Sequence, residues 1–116
     1  MATAKVRSPI TTHILDVALG KPASGVPVEL EVMSGKKWKK LASKKTNGDG
    51  RVEDLLAPGS KIIAGTYRLS FKIGKYFKGE TFYPYAEIVF EVKKLNQHYH
   101  VPLLVSPYGY STYRGS

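Results

Sequence analysis

The chain of 116 residues contains no cysteine. That removes a disulfide framework, a thiolate nucleophile and any cysteine-based zinc site. Long apolar runs are missing too, since none approaches the roughly 18 apolar residues that a membrane-spanning helix needs. Residues 1–10 lack the apolar segment of a secretory signal, and no Ser-Lys-Leu address stands at the end. Together these predict a soluble, cytoplasmic protein with no membrane partner, a peroxisomal location being the alternative. Acidic residues are few, 9 against 18 Lys and Arg, for a formal charge of +9. Much of the excess sits in Lys36, Lys37, Lys39, Lys40, Lys44 and Lys45 around Trp38. This reads as a hairpin with a lysine-rich outer face, a solvated edge that discourages sheet aggregation. No nucleic-acid recognition motif accompanies the charge and the tyrosines lie in the other half of the chain, so no nucleic-acid partner is expected.

Helical periodicity is almost absent, and alternation takes its place. Thr11, His13, Leu15 and Val17 share one face of a strand over Ile10 to Val17. Val26, Val28, Leu30 and Val32 then alternate with Pro27, Glu29 and Glu31, and a third strand returns over Lys37 to Thr46. Asn47-Gly48-Asp49-Gly50 is a turn that starts a short strand at Arg51. It lacks the ligand spacing and closing glutamate of a calcium loop. Tyr67, Leu69, Phe71 and Ile73 form another buried face, Gly74 to Gly79 has room for one helical turn, and Ala86 to Lys93 is a further strand. The length fits one domain, residues 10–116, behind a loose arm at 1–9. The fold class expected is all-β, a β-sandwich of about eight strands with one short helix.

The segment from His98 to Ser106 carries two of the three histidines. One of its faces holds His98, His100, Pro102, Leu104 and Ser106; the other holds Tyr99, Val101, Leu103 and Val105. A solvated sheet face is normally polar, so the partly apolar first face predicts cover by another subunit. Closed symmetry then favours a dimer or tetramer with a cleft lined by His13 and His100. Two neutral imidazoles beside an arginine suit acid–base hydrolysis: one takes a proton from water and the other protonates a leaving nitrogen. The guanidinium would hold an anionic planar substrate and lower a neighbouring histidine pKa. Which ring is base and which is acid stays open. His98 and His100 with His13 could instead ligate a metal, but no acidic or cysteine partner lies in the motif, so none is expected. No nucleophile-elbow pattern surrounds Ser116, which suits hydrogen bonding through its hydroxyl or carboxylate better than attack.

Four stretches, Thr12-His13-Ile14-Leu15-Asp16, Thr46 to Arg51, Phe82-Tyr83-Pro84-Tyr85 and His98 through Tyr113-Arg114-Gly115-Ser116, resemble the transthyretin-like proteins. Within them they are most similar to the branch that hydrolyses 5-hydroxyisourate; the final Tyr-Arg-Gly-Ser separates it from the hormone-carrying branch. The resemblance covers about residues 10–116. It implies a transthyretin-like (prealbumin) sandwich assembled as a homotetramer, a dimer of dimers with sites in the central channel. It implies conversion of 5-hydroxyisourate, the product of urate oxidation, to 2-oxo-4-hydroxy-4-carboxy-5-ureidoimidazoline without a cofactor. His13, Arg51, His100 and Ser116 match the branch's catalytic positions, and all four would also contact substrate. Tyr113 stands where the carrier has a smaller residue; it too would bind substrate, making the pocket shallower. His98 matches the pattern without an assigned role. The competing expectation is a carrier of a hydrophobic, hormone-like ligand in the same channel.

Overall fold

A computed structural model describes residues 7–116. Among these described residues, alternating β-branched and aromatic side chains build nine strands in two sheets. The first sheet contains β1 (Ile10–Asp16), β2 (Lys21–Pro22), β5 (Arg51–Val52), β8 (Tyr99–Ser106) and β9 (Gly109–Thr112), in the order β2-β1-β8-β9, with β5 also pairing β1. The second runs β4-β3-β6-β7, from β3 (Pro27–Ser34), β4 (Lys37–Lys45), β6 (Gly65–Phe71) and β7 (Ala86–Val92). A short helix, α1 (Ile73–Tyr76), follows β6.

The two inner faces meet in one core. Ile10, Ile14, Leu103 and Val105 of the first sheet and Val28, Leu30, Leu69 and Phe71 of the second are fully buried. These are the residues that the period-two pattern assigns inward. Removing such a side chain typically costs about 2–5 kcal/mol, as in Leu103→Ala. Asp16 pins α1 to the first sheet: its carboxylate accepts from Tyr76 Oη at 2.7 Å and from the Ala18 and Leu19 amides at 3.0 Å each. Burial and that carboxylate push the Tyr76 hydroxyl up to about 12.

The all-β sandwich with one short helix is as expected, with four differences of detail. Two of the nine strands have only two residues each. Ile73 keeps its buried place but starts the helix instead of ending a strand, because the chain turns there and the Gly74 amide bonds the Pro84 carbonyl. The polar tail forms β9, paired antiparallel with β8. The arm expected over 1–9 lies outside the described residues at 1–6. Residues 7–9 are anchored: Ser8 is buried with its hydroxyl on the Ile10 carbonyl, and the Arg7 and Pro9 carbonyls accept from Gly59 and Tyr99.

Candidate active site

β1 and β8 run in parallel, with Thr11 opposite His100 and His13 opposite Pro102. The core takes Ile10, Ile14, Val101, Leu103 and Val105, so the alternate set of Thr11, His13, His100 and Pro102 lies on the sheet's outer face. β5 adds Arg51 opposite His13. Register alone therefore brings together residues drawn from three separate stretches of sequence.

The turn before Arg51 sets its position. Asn47 Oδ1 accepts the amides of Asp49 at 2.9 Å and Arg51 at 3.0 Å. Gly50 has φ +74°, and a Cβ there would stand 2.5 Å from the Ile14 carbonyl oxygen. Glycine is thus required both by the backbone conformation and by the space.

The tail folds back over the same face. The Gly115 amide donates to the His100 carbonyl at 2.9 Å, and Thr112 Oγ1 donates to the Pro102 carbonyl at 2.7 Å. A Cβ on Gly115 would lie 2.6 Å from His100 Cδ2, so only glycine lets the chain cross this imidazole so closely. Arg114 anchors the crossing, its guanidinium 4.7 Å from the Tyr99 ring centroid and bonded to Gln97 Oε1 at 3.0 Å. Part of the apolar face expected to need a second subunit is therefore covered by the chain's own tail, and Pro102 is buried beneath it.

A cavity of about 920 Å³ opens on this face. Arg51, His100 and Ser116 line it together, as do Thr11, His98 and Arg7. Glu53 and Asp54 contribute exposed carboxylates to the same wall. His13 does not border the cavity directly; it stands half-buried beside Arg51, and only when protonated does it oppose protonation of His100. Tyr113 is placed elsewhere, on a smaller cavity of about 250 Å³ between β7 and the tail, where His100 forms part of the wall. His100 thus separates two depressions, one holding Arg51 and Ser116 and the other Tyr113.

The sequence reading missed Thr11 and gave His98 no role. Thr11 Oγ1 lies 2.9 Å from His98 Nε2 and 2.8 Å from His100 Nδ1, bridging rings whose centroids are 6.4 Å apart. The signal was present: Thr11 shares the face of His13 two residues away.

All three histidines are held below their usual value of 6.5. For His100 the first cause is burial, followed by the positive charge of Arg51 and then by His98, His13 and Arg7. For His13 burial again leads, Arg51 adds to it, and the Asp49 backbone and carboxylate oppose it. For His98, burial and Arg7 act against the Ser8 backbone. Each ring is consequently neutral near pH 7 and able to accept a proton. Among the described residues, no group of three or more His, Cys, Asp or Glu is placed to hold a metal ion. Among the described residues, no helix is long and apolar enough to cross a membrane.

Fold and site together define a transthyretin-like sandwich with a histidine–arginine cavity on one sheet. Residues 10–115 match the HIUase/Transthyretin family model, and the chain belongs to that family. A 5-hydroxyisourate hydrolase of Mus musculus is 48% identical over 114 residues, covering 94% of this chain and 96% of the mouse protein. The solved 5-hydroxyisourate hydrolase of Klebsiella pneumoniae superposes with a TM-score of 0.77 at 38% identity, over 92% of each chain. Sea bream transthyretin in complex with thyroxine gives a higher TM-score, 0.86, at a lower identity, 28%, over 93% of this chain and 95% of that one.

Proposed function

We propose that the protein is a cofactor-free 5-hydroxyisourate hydrolase acting in urate degradation, with 2-oxo-4-hydroxy-4-carboxy-5-ureidoimidazoline as its product. The observation that carries this reading is the cavity in which Arg51, His100 and Ser116 meet, its histidine held neutral beside a fixed positive charge. In this reading Arg51 binds the polar edge of a planar, anionic substrate. One neutral imidazole of the His13/His100 pair takes a proton from water as its oxygen attacks a ring carbonyl carbon. The C–N bond then breaks, and the proton taken from water passes through the histidine pair to the leaving nitrogen. Ser116 hydrogen-bonds the substrate, and Tyr113 limits the depth of the neighbouring pocket. The chain assembles as a homotetramer, a dimer of dimers, as the family resemblance implies.

The second reading, a carrier of a hydrophobic hormone-like ligand, draws on the closer backbone superposition with the thyroxine-binding protein. Against it stand the cations and carboxylates of the larger cavity, Arg7, Arg51, Glu53 and Asp54, which an apolar ligand would have to desolvate. Ultraviolet monitoring of 5-hydroxyisourate freshly made by urate oxidase separates the two. The hydrolase reading expects decay well above the spontaneous rate. Spontaneous decay combined with tight thyroxine binding would replace it with the carrier.

A further inference from the structure

Arginine occurs at four positions, and the fold treats them in two ways. Arg68 donates to Glu31 at 2.8 and 2.9 Å, lies 3.5 Å from Glu87 and sits 4.3 Å from the Trp38 ring centroid. Arg114 is committed to Gln97 and to the Tyr99 ring. Arg7 and Arg51 differ: among the described residues neither guanidinium has a hydrogen bond, an ion pair or an aromatic ring as partner. Both line the same cavity of about 920 Å³. Residues 1–6 contain no acidic side chain to neutralise them, and Asp54 on the cavity wall is engaged by Lys44 at 3.7 Å. Glu53 lines that wall without pairing to either. Two uncommitted guanidiniums, each a planar fork of five N–H donors, thus serve one cavity, and that fork matches a carboxylate.

The two reach His100 from opposite ends of β1. Arg51 stands opposite His13. Arg7 precedes β1, where the parallel register that pairs Ile10 with Tyr99 leads back toward His98. The backbone under Arg7 is fixed although its side chain is exposed: its carbonyl accepts from Gly59 at 3.1 Å, Ser8 Oγ accepts the Leu56 amide at 3.3 Å, and the Pro9 carbonyl accepts from Tyr99 at 2.9 Å. Accordingly the charge of Arg7 is felt at His98, that of Arg51 at His13, and both at His100 between them.

We propose that Arg7 is a second anion-binding residue of this cavity and pairs with the carboxylate that ring opening creates. This rests on the hydrolase reading and deepens it: Arg51 holds the anionic edge of the intact ring, and Arg7 meets the charge that the reaction adds. Hydrolysis of a ring amide requires such a charge. The water oxygen bonds the carbonyl carbon, the C–N bond breaks, and one water proton reaches the leaving nitrogen. The carbon is left as a carboxylic acid, which ionises by releasing the other water proton to solvent. A cation placed at the developing carboxylate gains more interaction after attack than before it, so it lowers the barrier beyond merely tightening substrate binding.

Binding and turnover are read separately on the full chain. Calorimetry compares orotate, a planar ring ureide bearing a carboxylate, with uracil, the same ring without it. The wild-type chain should bind orotate roughly tenfold or more tightly, the gain that a charge-assisted hydrogen bond supplies. Arg7→Gln should abolish that preference while leaving uracil binding nearly unchanged, and Arg7→Lys, which keeps the charge but not the fork, should retain part of it. In turnover, at a pH well above the usual histidine value, Arg7→Gln should lower kcat roughly tenfold with KM nearly unchanged. At that pH the rings are neutral in both proteins, so an effect of Arg7 exerted only through histidine titration vanishes. An orotate preference that survives Arg7→Gln would overturn the proposal. So would equal affinity of the wild-type chain for the two probes, binding of neither, or wild-type kcat in Arg7→Gln. An Arg7-dependent orotate preference in a chain without hydrolase activity would remove the hydrolase reading and leave Arg7 as an anion-binding residue.

Discussion

Two basic regions of this molecule differ sharply in what they do with charge. The β3–β4 hairpin holds six lysines over positions 36–45, exposed to water. Its ion pairs are loose and solvated: Lys40 to Glu29 at 3.6 Å and Lys44 to Asp54 at 3.7 Å. Such pairs contribute about 0–1 kcal/mol each and are screened by salt. The β1/β5/β8 face holds fewer cationic groups, but it half-buries Arg51, His13, His98 and His100 and shifts the titration of all three histidines. Net charge therefore does not point to the site; partial burial of a few close groups does. Asp54 links the regions, pairing with Lys44 while lining the cavity.

The contrast breaks most visibly by substitution at the cavity. His100→Asn should lower kcat by roughly 10²–10⁴-fold, as loss of a general acid or base does. A stopped-flow assay reads this, and a loss below tenfold would move the chemistry away from His100. Gly115→Ala should come next, because its methyl meets the His100 ring and Pro102. A roughly tenfold or larger fall in kcat, the cost of about 1 Å misplacement, is expected with the melting temperature little changed. An unaltered rate would mean that the tail does not position His100.

Arg51→Gln sharpens the electrostatic half of the comparison. Removing the guanidinium should raise the pKa of both His100 and His13 toward 6.5, and leave His98 almost where it was, since Arg51 is not among its causes. An NMR titration distinguishes the three rings. The sign for stability follows from linkage. With folded pKa values below the unfolded 6.5, the neutral rings favour folding above that pH, and this stabilisation is lost as pH falls through and below it. Denaturation midpoints should fall on the acid side, less steeply in Arg51→Gln. The smallest effect belongs to the hairpin: Lys37→Gln with Lys39→Gln should leave kcat unchanged and stability within about 0.5 kcal/mol. A marked loss of either would give the lysine face a role.

Much of the fold was legible because one face of β1, β3, β6 and β8 is buried. The alternation over Val26–Val32, Tyr67–Phe71 and Ala86–Val92 places core residues where the structure has them. The Asn47–Gly50 turn was legible from its chemistry and does set Arg51 at the head of β5. The parallel pairing of β1 with β8 was not, since it joins residues about ninety positions apart and leaves no local pattern. β9 escaped because four mostly exposed residues, Gly109–Thr112, carry no alternation of burial. At the site, residue types pointed to His13, Arg51, His100 and Ser116; the face that Thr11 shares with His13 was legible too, whereas its bridge to His98 and His100 depends on the register of β1 against β8. Tyr113 belongs to the second pocket for the same reason.

The most direct test follows the ultraviolet decay of freshly generated 5-hydroxyisourate with equal amounts of folded wild-type, His13→Ala, Arg51→Ala and His100→Ala protein. The wild-type chain should accelerate decay well beyond the spontaneous rate, and all three variants should fall back close to it. Wild-type rates in all three variants would contradict the assignment of catalysis to these residues.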